Sequence, residues 1–254
     1  MNNEKVFISG SLSIKALPKA TEETIDKIMN KNAEILIGDA PGIDKLIQKY
    51  CFKKKYDRIT IYYVGDKARN LENETFAIKK VNISDEDKTE KAKQSRKDIK
   101  MTKDSTYSFV IWDEKSSGSY ANIMRSLEEN KYVKVYLASS NKYIHSKEPN
   151  FKNEIKDIYT TNSGFTKEKC LELLKESYPE NLNLKNNNTF NEFLVKNKIL
   201  MKDGKKYIPT DEYKNFFIKK IYKGKFDNYN FTNDLFDQID KIIKSQSEPL
   251  LPLL

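Results

Sequence analysis

Glu34-Ile35-Leu36-Ile37-Gly38-Asp39-Ala40-Pro41-Gly42-Ile43-Asp44 decides the architecture of the first half of the chain. An aliphatic run ends in a Gly-Asp turn, and from Ile43 to Phe52 the apolar residues Ile43, Leu46, Ile47 and Tyr50 recur at helical spacing. A strand without polar alternation is covered on both faces. One that ends in glycine and passes quickly into an amphipathic helix is half of a βαβ unit. The same pattern extends both ways. Val6-Phe7-Ile8-Ser9-Gly10 is a strand ending in a turn; a helix from Thr21 to Asn30 follows, with Thr21 as its cap and Ile25, Ile28 and Met29 on its apolar face. Ile59-Thr60-Ile61-Tyr62-Tyr63-Val64-Gly65 is a third strand, and Tyr107 to Trp112, a helix from Tyr120 to Glu129 and Val133 to Leu137 continue the series. Residues 82–104, polar and charge-rich, read as a surface excursion or lid ending in a helix. The expectation is an α/β domain over residues 1–140, a mainly parallel sheet with helices on both faces.

Residues 141–164 are polar and read as a linker. Beyond them, residues 165–254 form a different kind of domain, smaller and mostly α. Thr166 to Ser177 is an amphipathic helix, Thr189 to Lys196 another, and Ile199 to Pro209 a hairpin with Asp203-Gly204 at its turn. A last helix spans about Asn233 to Ser245. Helix, helix, hairpin is the order of a winged-helix module. The aromatic cluster Tyr213, Phe216, Phe217, Tyr222, Phe226, Tyr229 and Phe231 reads as core or interface, and the apolar tail Pro249 to Leu254 as a docking segment or a loose end.

Composition narrows the function. The 254 residues carry 46 basic and 37 acidic side chains, a net charge of +9 spread evenly along the chain. That excess fits nucleic-acid contact or plain lysine-rich composition. No run approaches the roughly 18 apolar residues of a membrane span. The first residues carry no apolar signal segment, so a cytoplasmic protein is expected. Two cysteines, Cys51 and Cys170, and one histidine, His145, are too few for a disulfide scaffold or a Cys/His metal site, and neither a metal nor a cofactor is expected. Acid-base chemistry would fall to Asp, Glu, Tyr or Lys.

In parallel sheets ligands bind at the carboxyl ends of the strands, where helix N-termini offer free N–H groups to phosphate. Ser9, Gly10 and Ser11 follow the first strand; Gly38, Asp39, Gly42 and Asp44 follow the second; Lys115, Ser116, Gly118, Ser119 and Asn122 follow a later one. Gly10 and Gly38 would let a ligand approach the backbone without meeting a Cβ. The serines offer hydroxyls, Asp39 and Asp44 can accept from ribose hydroxyls, and Lys97 and Lys115 can pair with phosphate. Each glycine taken alone reads as an ordinary turn and each aspartate as a helix cap. Their convergence points to a nucleotide-type ligand.

Four stretches carry a family resemblance: Ser9-Gly10-Ser11-Leu12-Ser13-Ile14, Ile37-Gly38-Asp39-Ala40-Pro41-Gly42-Ile43-Asp44, Lys97-Asp98-Ile99-Lys100-Met101, and Val110 through Asn122. Together they resemble the SLOG superfamily, the Rossmann-like group that includes DNA-processing protein A and the cytokinin-activating phosphoribohydrolases. Within it they are most similar to a bacterial and phage branch of stand-alone domains. The resemblance spans about residues 5 to 137. It implies a Rossmann-like fold, a nucleotide or nucleotide-derived ligand at the strand ends, and a place in nucleotide signalling or phage-bacterium conflict (antiviral defence included).

The chain also departs from the family. The phosphoribohydrolases carry Gly-Gly-x-Gly-Thr-x-x-Glu with a catalytic glutamate, whereas here Gly118-Ser119-Tyr120-Ala121-Asn122 ends in an amide that is neither base nor nucleophile. The branch commonly has a basic residue where Leu12 stands. If N-glycosidic cleavage survives, Asp39, Asp98 or Asp113 must supply the carboxylate. Asp98 comes first, because Lys97 beside it would keep it ionised, and Asp113 second. The second half resembles, more loosely, the carboxy-terminal domain of phage antirepressors. Its hairpin lysines Lys202, Lys205 and Lys206 are candidates for DNA contact. Nucleotide binding by a homo-oligomer is therefore the first expectation, an N-glycosidase the second, and a DNA-binding protein of the DNA-processing type the third.

Overall fold

A computed structural model describes residues 4–222 and 225–247; the apolar 249–254 segment lies outside the described residues. The chain divides into two compact units between Lys156 and Asp157. The first contains β1 (Lys5–Gly10), α1 (Lys19–Asn30), β2 (Glu34–Ile37), α2 (Ile43–Lys53), β3 (Ile59–Tyr63), β4 (Ala77–Lys80), α3 (Glu90–Asp104), β5 (Tyr107–Trp112), α4 (Ser117–Glu128), β6 (Tyr132–Leu137) and β7 (Lys142–His145). Then α5 (Phe151–Ser163) runs across the division. The stretch 141–164, expected as a linker, instead contains β7 and all of α5, its polarity reflecting exposed faces rather than absence of structure.

Seven strands line up in the order β4-β3-β2-β1-β5-β6-β7, all parallel except the β6–β7 pair. Alternation along the strands explains why the sheet is covered twice. Val6 and Ile8 of β1 join Ile35, Ile59 and Ile61 against Ile25 of α1 and Ile43 and Ile47 of α2. Phe7, Leu36 and Tyr62 point the other way and pack on Met101 of α3. Each fully buried Ile or Leu contributes about 1.5–3 kcal/mol, which makes this two-sided core the main stabilising term.

Two local expectations change. Residues 82–104 are no lid: α3 is the crossover from β4 to β5, with Lys97, Met101 and Thr102 buried. Thr21 does not cap α1. The helix begins at Lys19 after Pro18, and Thr21, buried in the first turn, returns its hydroxyl to the Pro18 carbonyl (2.6 Å). The end of α3 is closed by a cation from elsewhere: Lys131 Nζ donates to the carbonyls of Thr102 and Ser105, where burial lowers its pKa. Lys131→Met keeps the aliphatic stem and leaves those carbonyls without their donor, so it should lower urea stability by about 1–2 kcal/mol. An unchanged midpoint would remove Lys131 from the account.

The second unit has α6 (Lys167–Ser177) and α7 (Asn187–Lys196), then the hairpin β8 (Leu200–Asp203) and β9 (Lys206–Pro209). A second hairpin, β10 (Phe217–Tyr222) and β11 (Lys225–Phe231), precedes α8 (Asn233–Ser247). Thr166 caps α6 through Lys169 N–H, and Asn186 with Thr189 forms a reciprocal cap on α7. Cys170, Leu174, Phe190, Leu194, Leu235 and Ile239 are buried together. Phe217 and Phe231 belong to that core, Tyr213, Phe216 and Tyr229 pack on it half-buried, and Phe226 is exposed; the Tyr222 side chain is outside the described residues. Among the described residues no helix is long and apolar enough to cross a membrane.

Candidate functional site

Strand order places the site. From β1 the chain steps one way to β2, β3 and β4; α3 then carries it back across to β5, on the other side of β1, and it continues away to β6. The connections leaving β1 and β5 therefore diverge, and a crevice opens where the order reverses. A cleft of ≈ 440 Å³ lies there. The end of β1, α3 and the head of α4 supply its walls.

One end of the cleft offers donors. Ser11 Oγ takes the Asp113 N–H (2.9 Å) and lies 2.7 Å from Ser116 Oγ, which donates to Ser119 Oγ (2.8 Å). Ser116 sits at the N-cap of α4 but makes no side-chain cap bond. The N–H groups of Ser117, Gly118 and Ser119 are those of a first helical turn, which have no acceptor inside the helix. The space above Gly118 is open: a Cβ there would meet nothing within 4 Å. Ser9 adds a hydroxyl to the cleft wall that is buried without a hydrogen-bond partner in the described structure. Glu114 holds the turn in place. It adopts a left-handed conformation (φ 64°), and its carboxylate receives Ser139 N–H (2.9 Å) from beyond β6.

The other end is charged and mostly buried. Lys97 Nζ, only 3% exposed, donates to Asp39 Oδ1 at 2.6 Å, while Arg69 grips the same carboxylate through Nη2 (2.8 Å), Nε (3.2 Å) and its own N–H (3.0 Å). Burial would raise the Asp39 pKa, but Arg69 and Lys97 outweigh it and hold it at about 2. Burial wins at Asp44, lifting it to about 7 against the pull of Lys97 and of the Ala40 N–H (3.1 Å). Asp98 is likewise pushed up by burial, against Lys97, Arg125 and a hydrogen bond from Asn122. Lys97 does pull the Asp98 pKa down, as expected, but it is already engaged by Asp39 and desolvation is the larger effect. The Asn122 oxygen accepts from Arg125 (2.7 Å), which turns its amide nitrogen toward Asp98.

Gly38 makes this cluster possible. A Cβ on it would lie 2.4 Å from Asp44 Oδ2 and 2.9 Å from Lys97 Nζ. Gly42, at φ +80°, would place a Cβ 2.6 Å from Leu12 Cα, so it lets the β2–α2 turn lie against the β1 turn. Both glycines, and Gly10 against Ile111, are required by internal packing.

Of the residues singled out in the sequence, Ser9, Gly10, Ser11, Asp44, Lys97, Asp98, Lys115, Ser116, Gly118, Ser119 and Asn122 line the cleft. Gly38, Asp39 and Gly42 stand behind the lining. Asp113 also lies outside it. Its carboxylate accepts from Lys115 and Ser116 N–H (3.1 and 2.8 Å) and from Ser13, and these bonds outweigh burial and lower its pKa; it shapes the turn into α4. Arg69, Gln94 and Arg125 were not anticipated. Arg69 and Gln94 meet at 2.9 Å. Two of the chain's four arginines belong to this site, and in so lysine-rich a sequence that scarcity was the available signal. In the second unit Lys202, Lys205 and Lys206 are exposed on the β8–β9 hairpin.

The fold and cleft define an α/β domain with a crevice at its topological switch point, lined by serine hydroxyls at one end and charged side chains at the other. Compared with protein-family models, with curated proteins and with solved structures, the chain matches none.

Proposed function

We propose that the N-terminal unit binds a nucleotide or nucleotide-derived anion in this cleft, as its resemblance to SLOG domains implies, in nucleotide signalling or phage-bacterium conflict. The observation that carries the reading is the unpartnered Ser9 hydroxyl beside the open first turn of α4. A buried hydroxyl without a partner costs about 1–3 kcal/mol, and an anion over Gly118 satisfies it together with the helix N–H groups. Asp44 and Asp98, at the far end, are acceptors for sugar hydroxyls.

A nucleotide at about a hundred times its Kd adds about 2.7 kcal/mol to stability by mass action. Thermal shift with nucleoside monophosphates, cyclic nucleotides and NAD should identify at least one that raises the melting temperature. Gly118→Leu, which meets open space, should melt like wild type and lose that response. If no nucleotide shifts the transition, or Gly118→Leu responds fully, the cleft is not the site. One observation favours a second reading, N-glycosidic cleavage: Asp98 lines the cleft, and burial raises its pKa in the direction a general acid needs. Release of free base by wild type, and binding without release by Asp98→Asn, would establish it.

A further inference from the structure

The C-terminal unit contains two separate two-stranded sheets, β8–β9 and β10–β11. A groove of ≈ 360 Å³ runs between them. Its walls include three consecutive residues of β9, Lys206 to Ile208, and four of β11, Phe226 to Tyr229. A strand viewed on its face contributes alternate residues, so the consecutive ones of β9 mark a strand seen along its edge, while those of β11 take in its bulge opposite Lys219 to Ile221.

The outer edge of β11 already has one rung filled. Phe165 and Phe231 exchange both backbone hydrogen bonds, each 2.8 Å. Phe231 therefore turns its N–H and C=O away from β10, while Asn230, opposite Ile218, faces it. Alternation directs the N–H and C=O of Tyr229 outward again, into the groove. Asn191 lies beneath at 6% exposure. Its oxygen accepts from Lys167 Nζ (3.2 Å), and its side chain lines the groove.

We propose that this groove receives a short extended peptide, added as a strand on the outer edge of β11. The peptide pairs with Tyr229 as the next rung beyond Phe165, and one of its carbonyls accepts from Asn191. An apolar side chain of the peptide rests against Phe217, Phe226 and Tyr229. The rim carries Lys167 and Lys206 beside Glu168 and Asp227. That mixture suits a peptide bearing both charges and opposes a polyphosphate strand, whose like charges would face both acids. A two-stranded ribbon is marginal by itself, and a third strand is what such an edge stabilises.

The test uses the full chain and a random heptapeptide phage library. Selected peptides, resynthesised and measured by fluorescence anisotropy, should slow amide exchange at residues 226–230. They should lose roughly tenfold in affinity for each hydrogen bond removed, by N-methylation of the residue pairing with Tyr229 or by Asn191→Leu. Phe226→Ala, at an exposed position that leaves the core intact, should weaken them similarly. The proposal is overturned if no peptide is enriched, or if those selected are indifferent to both N-methylation and Phe226→Ala. It also fails if an oligothymidylate, but no peptide, binds in a Phe226-dependent way.

Discussion

Lys97→Met should lower the stability of the N-terminal unit by about 3–5 kcal/mol at pH 8, the range for removing one partner of a buried ion pair. For a unit of this size that is a fall of roughly 10 °C in its melting transition. Methionine matches the lysine stem, so packing against the sheet is retained and the loss is electrostatic. Three carboxylates, Asp39, Asp44 and Asp98, feel the Lys97 charge. Without it Asp39 keeps Arg69, whose side chain is 43% exposed and whose charge is therefore screened. The deficit should shrink at pH 5, where Asp44 takes up a proton and needs no counter-charge. The double variant Lys97→Met/Asp39→Asn should recover part of the loss, since it removes the charge that Lys97 served. Melting curves at both pH values for the four proteins of the cycle decide it. Equal losses at pH 5 and pH 8, with no recovery in the double variant, would make Lys97 a packing residue.

The elements that were legible beforehand are those with a local signature. β1, β2 and β3 are aliphatic runs closed by glycine or a glycine-bearing turn, because strands buried on both faces have no polar alternation to blur them. β4 escaped notice: all four of its residues are exposed and two are lysines, the composition of a protected sheet edge. The burial of α3 was hidden by its charge, for the residue that faces inward at its centre is Lys97. β10 and β11 were read only as a cluster of aromatics, since a bulge between Lys219 and Ile221 interrupts their alternation. Within the cleft, the serine and glycine turns could be read locally. The partners of Asp39 could not: Arg69 comes from the long β3–β4 connection, Lys97 from α3, and no spacing rule joins them to residue 39. Nor does a sequence reveal desolvation, which is why Asp44 and Asp98 have raised pKa values despite the cations beside them.

Asp44→Asn should stabilise the protein, by a margin that grows with pH. The Asp44 pKa rises from the ordinary 3.8 to about 7 on folding. A group whose pKa is raised by folding contributes stability that is fully present below the unfolded value and lost as pH climbs through the folded one. Asparagine mimics the protonated side chain at every pH and still accepts from Ala40 N–H. The variant should therefore match wild type near pH 4, pull ahead between pH 4 and 7, and level off above that. The full advantage is on the order of 4 kcal/mol, from about three pKa units at 1.36 kcal/mol each. Asp39, whose pKa falls to about 2, works oppositely: its contribution is present above pH 3.8 and disappears as pH falls toward 2. Wild-type stability should thus rise from pH 2 to about 4 and decline toward 8, whereas Asp44→Asn should rise and stay high. A constant offset between the two proteins from pH 4.5 to 8 would dismiss burial of Asp44 as the cause. On the reading that this cleft binds a nucleotide, a carboxylate kept in its wall where Asn would serve the fold better is held there for contact with that ligand. The same variant should then be the more stable protein and the poorer binder of whichever nucleotide shifts the wild-type transition.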